Sequence, residues 1–365
     1  MTDTQVFTPM PEDAEACAAD TVVLIPAYDP TPALADTARD LHALGFAVLV
    51  VNDGSHSEYA PIFEAAGGYA RIIGYAQNGG KGTALRYGIA NLRTLYPDCR
   101  YFVTADADGQ HAVEDILRAA ALVRRNDGFV IGSREFTGEV PLRSVVGNVM
   151  SRVAYTCLAD RYLRDNQSGL RAFPTSLCDW LLAIPGARYD YEMNVLMYAA
   201  RQNVHIYELH MLTIYENNNS SSHFNPLRDT LRLHRRILQG SIPTLIGALV
   251  SLLLYLNLIP LGLSLFGLIG LRFAVLTAGS VGLLLGEGLT FLHYHRVADV
   301  RMHLSFTRFI SGVFRLAAYQ AMLDWLIYWA AWPVWAALAV AFVAEAVGGY
   351  WLKRFLARKR RTVHH

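Results

Sequence analysis

The run Thr21-Val22-Val23-Leu24-Ile25 is continuously apolar, rich in β-branched residues, and closed by Pro26. No polar residue alternates along it, so it reads as a strand buried on both faces, as in parallel sheets covered by helices. The pattern returns in Phe46-Ala47-Val48-Leu49-Val50-Val51, in a short strand near Arg71-Ile72-Ile73, in Tyr101-Phe102-Val103-Thr104 and in Gly128-Phe129-Val130-Ile131. Helical spacing fills the gaps: Leu34, Ala38, Leu41 and Leu44 over residues 32–44, ended by Gly45, then a helix from Lys81 through about Leu95 and another near 112–125. This alternation predicts an α/β fold with a doubly wound, mostly parallel sheet and right-handed crossovers.

Three of the strands end in polar clusters: Pro26-Ala27-Tyr28-Asp29, Asn52-Asp53-Gly54-Ser55, and Ala105-Asp106-Ala107-Asp108-Gly109-Gln110-His111. Each is composed of turn residues and reads equally as a plain turn. Placed together on the carboxyl edge of one sheet, they read as a ligand site. Asp-x-Asp at a strand end offers hard oxygen ligands that suit Mg²⁺ or Mn²⁺ against phosphate oxygens. Asn78-Gly79-Gly80-Lys81-Gly82 is a glycine-rich helix start that could meet a phosphate through backbone N–H groups. Its spacing is not that of a Walker loop.

Of the 365 residues, only 17% are charged and 53% are hydrophobic, and the apolar residues crowd beyond position 240. Those proportions imply a membrane portion. A net charge of +1 argues against a nucleic-acid footprint, which needs a basic stripe. The four cysteines, Cys17, Cys99, Cys157 and Cys178, are too widely spaced for a zinc motif and read as core residues of a reduced compartment. Residues 1–20 are acidic, lack the apolar core of a signal peptide, and are expected to be a disordered lead-in.

Residues 21–224 resemble glycosyltransferase family 2, with its GT-A fold, and within it the polyprenyl-phosphate branch typified by dolichyl-phosphate mannose synthases. The resemblance rests on Ile25-Pro26-Ala27-Tyr28, Val51-Asn52-Asp53-Gly54-Ser55, Asn78-Gly79-Gly80-Lys81-Gly82 and the Ala105–His111 motif. It continues in Gly132-Ser133-Arg134, Asn166-Gln167-Ser168-Gly169-Leu170-Arg171-Ala172-Phe173 and Tyr191-Glu192-Met193. It implies that Asp106, Asp108 and Gln110 hold a divalent ion, with Asp106, Asp108 and Arg134 catalytic. The donor would lie against Pro26, Ala27, Tyr28, Asp29, Asp53, Gly54, Lys81, Asp106 and Ala107, with Asp53 receiving the base. Arg134 and Arg143 would clamp phosphate oxygens, with Ser222 and His223 on the acceptor side. A surface-cation reading of both arginines stays open, as does a capping role for Asp190 and Glu192.

Two departures stand out. The family's Pro-Ala-Tyr-Asn-Glu is Asp29-Pro30 after Tyr28 here, and its paired aspartates before Gly-Ser are Asn52-Asp53. No strong general base is evident. A polyprenyl phosphate oxygen is already anionic, so positioning and electrostatics would suffice, and direct displacement inverts the anomeric centre.

Asn217–Phe224 is a polar hinge that reads as a linker or as a lid, and residues 225–240 interleave Leu227, Leu231, Leu233, Ile237 and Leu238 with four arginines, as an interfacial amphipathic helix does. Beyond them, four spans of about twenty residues are expected near 241–260, 272–294, 308–330 and 332–352, followed by a basic tail over 353–365. The uncharged connections, near 257–271 and 330–333, alternate with basic ones. By the positive-inside rule, both termini and the catalytic domain face the cytoplasm. The block resembles the GtrA-like membrane domain through Arg272-Phe273 and Leu289-Thr290-Phe291-Leu292 followed by Arg296. Glu287, Arg315 and Glu345 are expected at one depth, as a structural cluster or a headgroup-phosphate site, and Asp324 has no evident partner.

The expected activity is metal-dependent transfer of a sugar from a nucleotide donor to a polyprenyl phosphate of undecaprenyl or dolichyl type. The rival readings are another lipid or glycan acceptor, and an inactive membrane scaffold or lipid-sugar transporter. The expected partners are a GDP- or UDP-linked sugar, the lipid phosphate and the membrane, with a homo-oligomer left open.

Overall fold

The protein is described by a computed structural model. It covers residues 11–134, 149–211 apart from 150, 154, 157, 158, 160 and 203, 242–295, and 314–351 apart from 315, 316, 342, 345, 346 and 348–350. The chain divides into two compact units, one holding the sheet and the other holding the residues from 237 on together with 153–162 and 200–203.

In the sheet unit, α1 (Pro11–Ala18), β1 (Thr21–Ala27), α2 (Ala33–Ala43), β2 (Ala47–Asp53), α3 (Ala60–Gly67) and β3 (Arg71–Tyr75) come first. Then follow α4 (Lys81–Leu95), β4 (Tyr101–Thr104), α5 (Val113–Asn126), β5 (Phe129–Arg134), β6 (Arg171–Pro174), α6 (Cys178–Ala183), α7 (Tyr189–Arg201) and β7 (Ile206–Met211). The sheet has seven strands in the order β3-β2-β1-β4-β6-β5-β7. All pairs are parallel except those of β6, which runs antiparallel to both β4 and β5.

The mostly parallel α/β sheet agrees with the expectation from the strand runs, and β6 is the addition. Successive side chains on β1 serve opposite faces. Val23 and Ile25 join a core with Leu34, Ala38 and Leu41 of α2, Phe63 of α3 and Ile116 of α5, while Leu24 meets α4 on the other face at Gly88. Helices on both faces explain why β1 shows no polar alternation. β1 continues through Pro26, which pairs with Val51 of β2. Because β4 ends opposite Leu24, the strand has a neighbour on only one side at that point, where proline is tolerated.

The expected disordered lead-in is corrected over its second half. Residues 11–18 form α1, whose Cys17 is 2% exposed in the main core. Arg124 of α5 donates to the Ala16 carbonyl and pairs with Asp20, which ties down the end of α1.

In the helical unit, α8 (Ile242–His295) is two helices joined at Gly267, whose φ of +58° and ψ of −138° interrupt the helix. The arms run back along each other: Ser251 Oγ donates to the Ala278 carbonyl at 2.7 Å, and Gly247 lies against Gly282 and Gly286. Gly262 and Gly270 meet so closely that a Cβ on either would overlap the other's backbone. The connection expected over 257–271 is therefore corrected to a tight turn at Gly267, because small residues let the arms touch at once. Two stretches, Leu249–Gly267 and Ile269–Gly286, are long and apolar enough to cross a membrane.

Further on, the helix through residues 317–324 runs into a π-helical turn, Trp325–Trp329, and breaks over 330–333 before a helix resumes at 334, where the uncharged connection is expected. Ile259, Leu271, Val275, Leu323, Leu326, Ala337 and Ala341 bury one another, so all four segments contribute to one apolar core. Asp324 does have a partner: its Oδ1 accepts Arg272 Nε at 3.2 Å and Gln320 Nε2 at 3.1 Å. The side chains of Glu287, Arg315 and Glu345, the hinge, the amphipathic helix and the basic tail lie outside the described residues.

Candidate active site

The carboxyl ends of β1, β2 and β4 lie side by side, so their polar clusters share one edge. The first two clusters are cross-linked. The Asp29 N–H donates to Ser55 Oγ at 3.0 Å, the His56 N–H to Asp29 Oδ1 at 3.0 Å, and His56 Nδ1 lies 2.9 Å from Asp29 Oδ2. Burial opposes the charge of Asp29, yet these contacts with His56 hold its carboxyl below the usual value. Asp29 has a φ of +45°, a conformation that aspartate tolerates better than most residues. The departure at Asp29-Pro30 thus builds a latch between the loops, with the Tyr28 and His56 rings 6.0 Å apart beside it.

Asp53, 2% exposed at the end of β2, faces the glycine-rich loop. Its Oδ1 accepts the Tyr75 hydroxyl at 2.7 Å and the Gly79 N–H at 2.8 Å, and its Oδ2 accepts the Gly80 N–H at 2.9 Å. The carboxylate expected to receive a nucleotide base is largely spent on this loop. What it achieves is a fixed start for α4: Gly80 adopts a φ of +91°, and Lys81 is the first helical residue.

Lys81 Nζ lies 2.7 Å from Asp106 Oδ1 and 3.0 Å from Glu192 Oε1. The other Asp106 oxygen is 3.2 Å from His111 Nε2, while His111 Nδ1 is buried with no partner. Burial disfavours both charges, but Lys81 and His111 hold Asp106 well below the carboxylate range, and Asp106 and Glu192 keep Lys81 charged. Asp108 goes the other way, pushed up by burial and by the nearby Asp106, although its Oδ1 accepts the Gln110 N–H at 3.1 Å. Gly169 is required behind this centre, since a Cβ there would overlap the Asp106 carboxylate. The Thr104 hydroxyl donates to the Gly169 carbonyl at 3.0 Å, and Arg171 donates to the Ser168 and Glu192 carbonyls, which fixes the segment.

Arg134, expected to clamp phosphate, instead grips Asp165: its Nε is 2.6 Å from Oδ2 and its Nη2 3.3 Å from Oδ1. Asp165, Glu192 and His111 are the partners to which the sequence reading gave no such contact. All three stand in or beside quoted motifs, but their contacts are not local. Arg143, Ser222 and His223 lie outside the described residues. Among those described, no three His, Cys, Asp or Glu side chains converge on one point as a metal cage would. The donor set still suits a hard divalent cation: two neighbouring carboxylates, one with its ionisation opposed by the other, gain from a dication between them.

Residues 22–171 match the family model for glycosyl transferase family 2. The chain is a glycosyltransferase. It is 29% identical over 216 residues to UDP-N-acetylglucosamine–dolichyl-phosphate N-acetylglucosaminyltransferase of Methanococcus voltae, covering 53% of this chain and 85% of that one. Glycosyltransferase AglJ of Haloferax volcanii is 27% identical to it over 224 residues, 59% of this glycosyltransferase and 71% of that protein. Among solved structures, glucosyl-3-phosphoglycerate synthase from Mycobacterium tuberculosis, with Mn²⁺, UDP and glucosyl-3-phosphoglycerate, is similar with a TM-score of 0.44 and 18% identity, over 64% of this chain and 83% of that one.

Proposed function

We propose that this glycosyltransferase moves a sugar from a nucleoside diphosphate donor to a polyprenyl phosphate at the cytoplasmic face of a membrane, with inversion. The observation that carries the reading is Asp106, held ionised at the carboxyl edge of the sheet, in a chain whose second unit exposes long apolar helices. The relative named for dolichyl phosphate supports the lipid acceptor. Four spans, the interfacial helix over 225–240 and a cytoplasmic tail complete the proposed topology.

Asp106, Asp108 and Gln110 would hold Mg²⁺ or Mn²⁺, which when bound supplies Lewis-acid neutralisation of the leaving diphosphate. The donor would rest on Pro26, Ala27, Tyr28, Gly54 and Ala107, with Asp29 setting the lip of its pocket. Asp53 acts chiefly through the loop it grips. Any contact it makes with a base uses the lone pair left on Oδ2. Arg134 presents its guanidinium edge from a rigid ion pair, and Arg143, Ser222 and His223 are assigned to the acceptor phosphate. That phosphate needs no base to become a nucleophile, so orientation carries the step.

The test is the thermal midpoint of the purified full chain with UDP or GDP, each with and without Mn²⁺. A ligand that binds the native state at about 100 times its Kd adds about 2.7 kcal/mol of stability. A Mn²⁺-dependent rise with one nucleotide, lost in Asp108→Ala, is the expected result. No rise with either nucleotide would favour an inactive scaffold.

A further inference from the structure

Lys81 holds one of the three residues assigned to the metal, Asp106, and this inference rests on the assignment of Asp106 as a metal ligand. Its ammonium bridges Asp106 at 2.7 Å and Glu192 at 3.0 Å, with the Tyr189 ring centroid 5.9 Å away. The lysine is aimed from both ends. Its backbone is set by the Asp53 grip on the Gly79 and Gly80 N–H groups, and the neighbouring Gly82 packs against Tyr191, next to Glu192 on the first turn of α7. Its side chain is 17% exposed, and both carboxylates keep it charged.

We propose that Lys81 is the resident counter-cation of the site: it holds Asp106 until the donor arrives, so the divalent ion enters with the nucleotide and not ahead of it. Both Asp106 oxygens are already engaged, one by Lys81 and one by His111. A dication beside that carboxylate faces the ammonium at twice the repulsion between unit charges. A nucleoside diphosphate changes the balance. Its phosphate oxygens receive Lys81 as it leaves Asp106, while Glu192 keeps hold of the lysine as it moves. Metal and nucleotide thereby strengthen each other's binding, and the coupling is reciprocal. Lys81 is a positioning residue in this account. A purely structural ion pair would show no such competition.

The experiment titrates the full chain in detergent with Mn²⁺, following the electron paramagnetic resonance signal of the free ion, alone and with UDP or GDP. Wild type should bind Mn²⁺ weakly alone and at least about tenfold more tightly with the matching nucleotide. Lys81→Met should bind Mn²⁺ alone about tenfold more tightly than wild type and gain less from nucleotide, whereas Lys81→Arg should follow wild type. If Lys81→Met folds poorly, Lys81→Gln serves, and Mn²⁺ alone should raise its melting temperature more than that of wild type. Unchanged Mn²⁺ affinity in the neutral variants, with the nucleotide effect intact, would overturn the proposal and leave the metal site standing. No Mn²⁺ binding by any variant with either nucleotide would overturn both.

Discussion

The two units each bury an apolar core but differ in what they leave on the outside. In the sheet unit, Val23, Leu24, Ile25 and Phe102 are sealed from solvent, and the charged groups Lys81, Asp106 and Glu192 meet at the sheet edge. In the helical unit, Phe266, Phe273 and Trp329 stand outside with exposures of 70%, 68% and 83%, while Asp324 is paired with Arg272 and Gln320. Isolated exposed apolar residues are ordinary, and an outer surface with this density of them suits a hydrocarbon surround. Hydrocarbon around the helices would reverse the rule for apolar groups and keep the rule for charges, which need partners in either solvent. The contrast teaches that polar pairing is common to the two units, whereas the exclusion of large apolar side chains from the outer surface is not.

The largest expected effect breaks a pair in the sheet unit. Burial disfavours the charge of Asp165, yet Arg134 more than offsets it and keeps the carboxyl below its ordinary value of 3.8. A lowered folded-state pKa adds stability that is present above the ordinary value and lost as pH falls through the folded one. Asp165→Asn removes the charged half of the Arg134 pair and should cost about 3 kcal/mol near neutral pH. Thermal unfolding as a function of pH should then show a smaller acid loss below about pH 4 than in wild type. Parallel profiles for the two proteins would contradict the pairing argument.

The next effect falls on activity. Gly169→Ala pushes a methyl group into the Asp106 carboxylate, and a displacement of that size should lower kcat/KM about 100-fold. Steady-state kinetics with Mn²⁺ present would check it, and a near-wild-type value would mean that the carboxylate is free to move. The smallest effect belongs to the helical unit. Arg272→Met and Asp324→Leu should each cost about 2 kcal/mol in thermal unfolding within lipid nanodiscs. The double variant should recover most of that loss, since it removes both charges. Additive losses would show that the pair is incidental.

Much of this architecture is legible in the chain because its signals are local. Thr21–Ile25 and Tyr101–Thr104 are strands by composition alone, and Gly80-Lys81 marks the start of α4. β6 escapes because Arg171-Ala172-Phe173-Pro174 carries a buried arginine and no apolar run, and its strand neighbours are distant in sequence. The acidic pair is legible from Asp106 and Asp108, but its cation is not: Lys81 and Glu192 are 111 positions apart, and nothing local links them. Asp324 is similar, for Arg272 lies 52 positions earlier, on another segment of the helical unit. Long-range polar pairs leave no periodic trace, so the structure is needed to find them.

The central claim is transfer of a sugar onto a lipid phosphate. The direct measurement supplies the detergent-purified full chain with UDP- or GDP-linked sugars labelled in the sugar, undecaprenyl or dolichyl phosphate, and Mn²⁺, and follows label into the organic phase. The account predicts a lipid-soluble, acid-labile product from one donor class, absent without Mn²⁺ and absent in Asp106→Asn. Label that stays in water with every donor, while the same protein binds nucleotide and Mn²⁺, would contradict it.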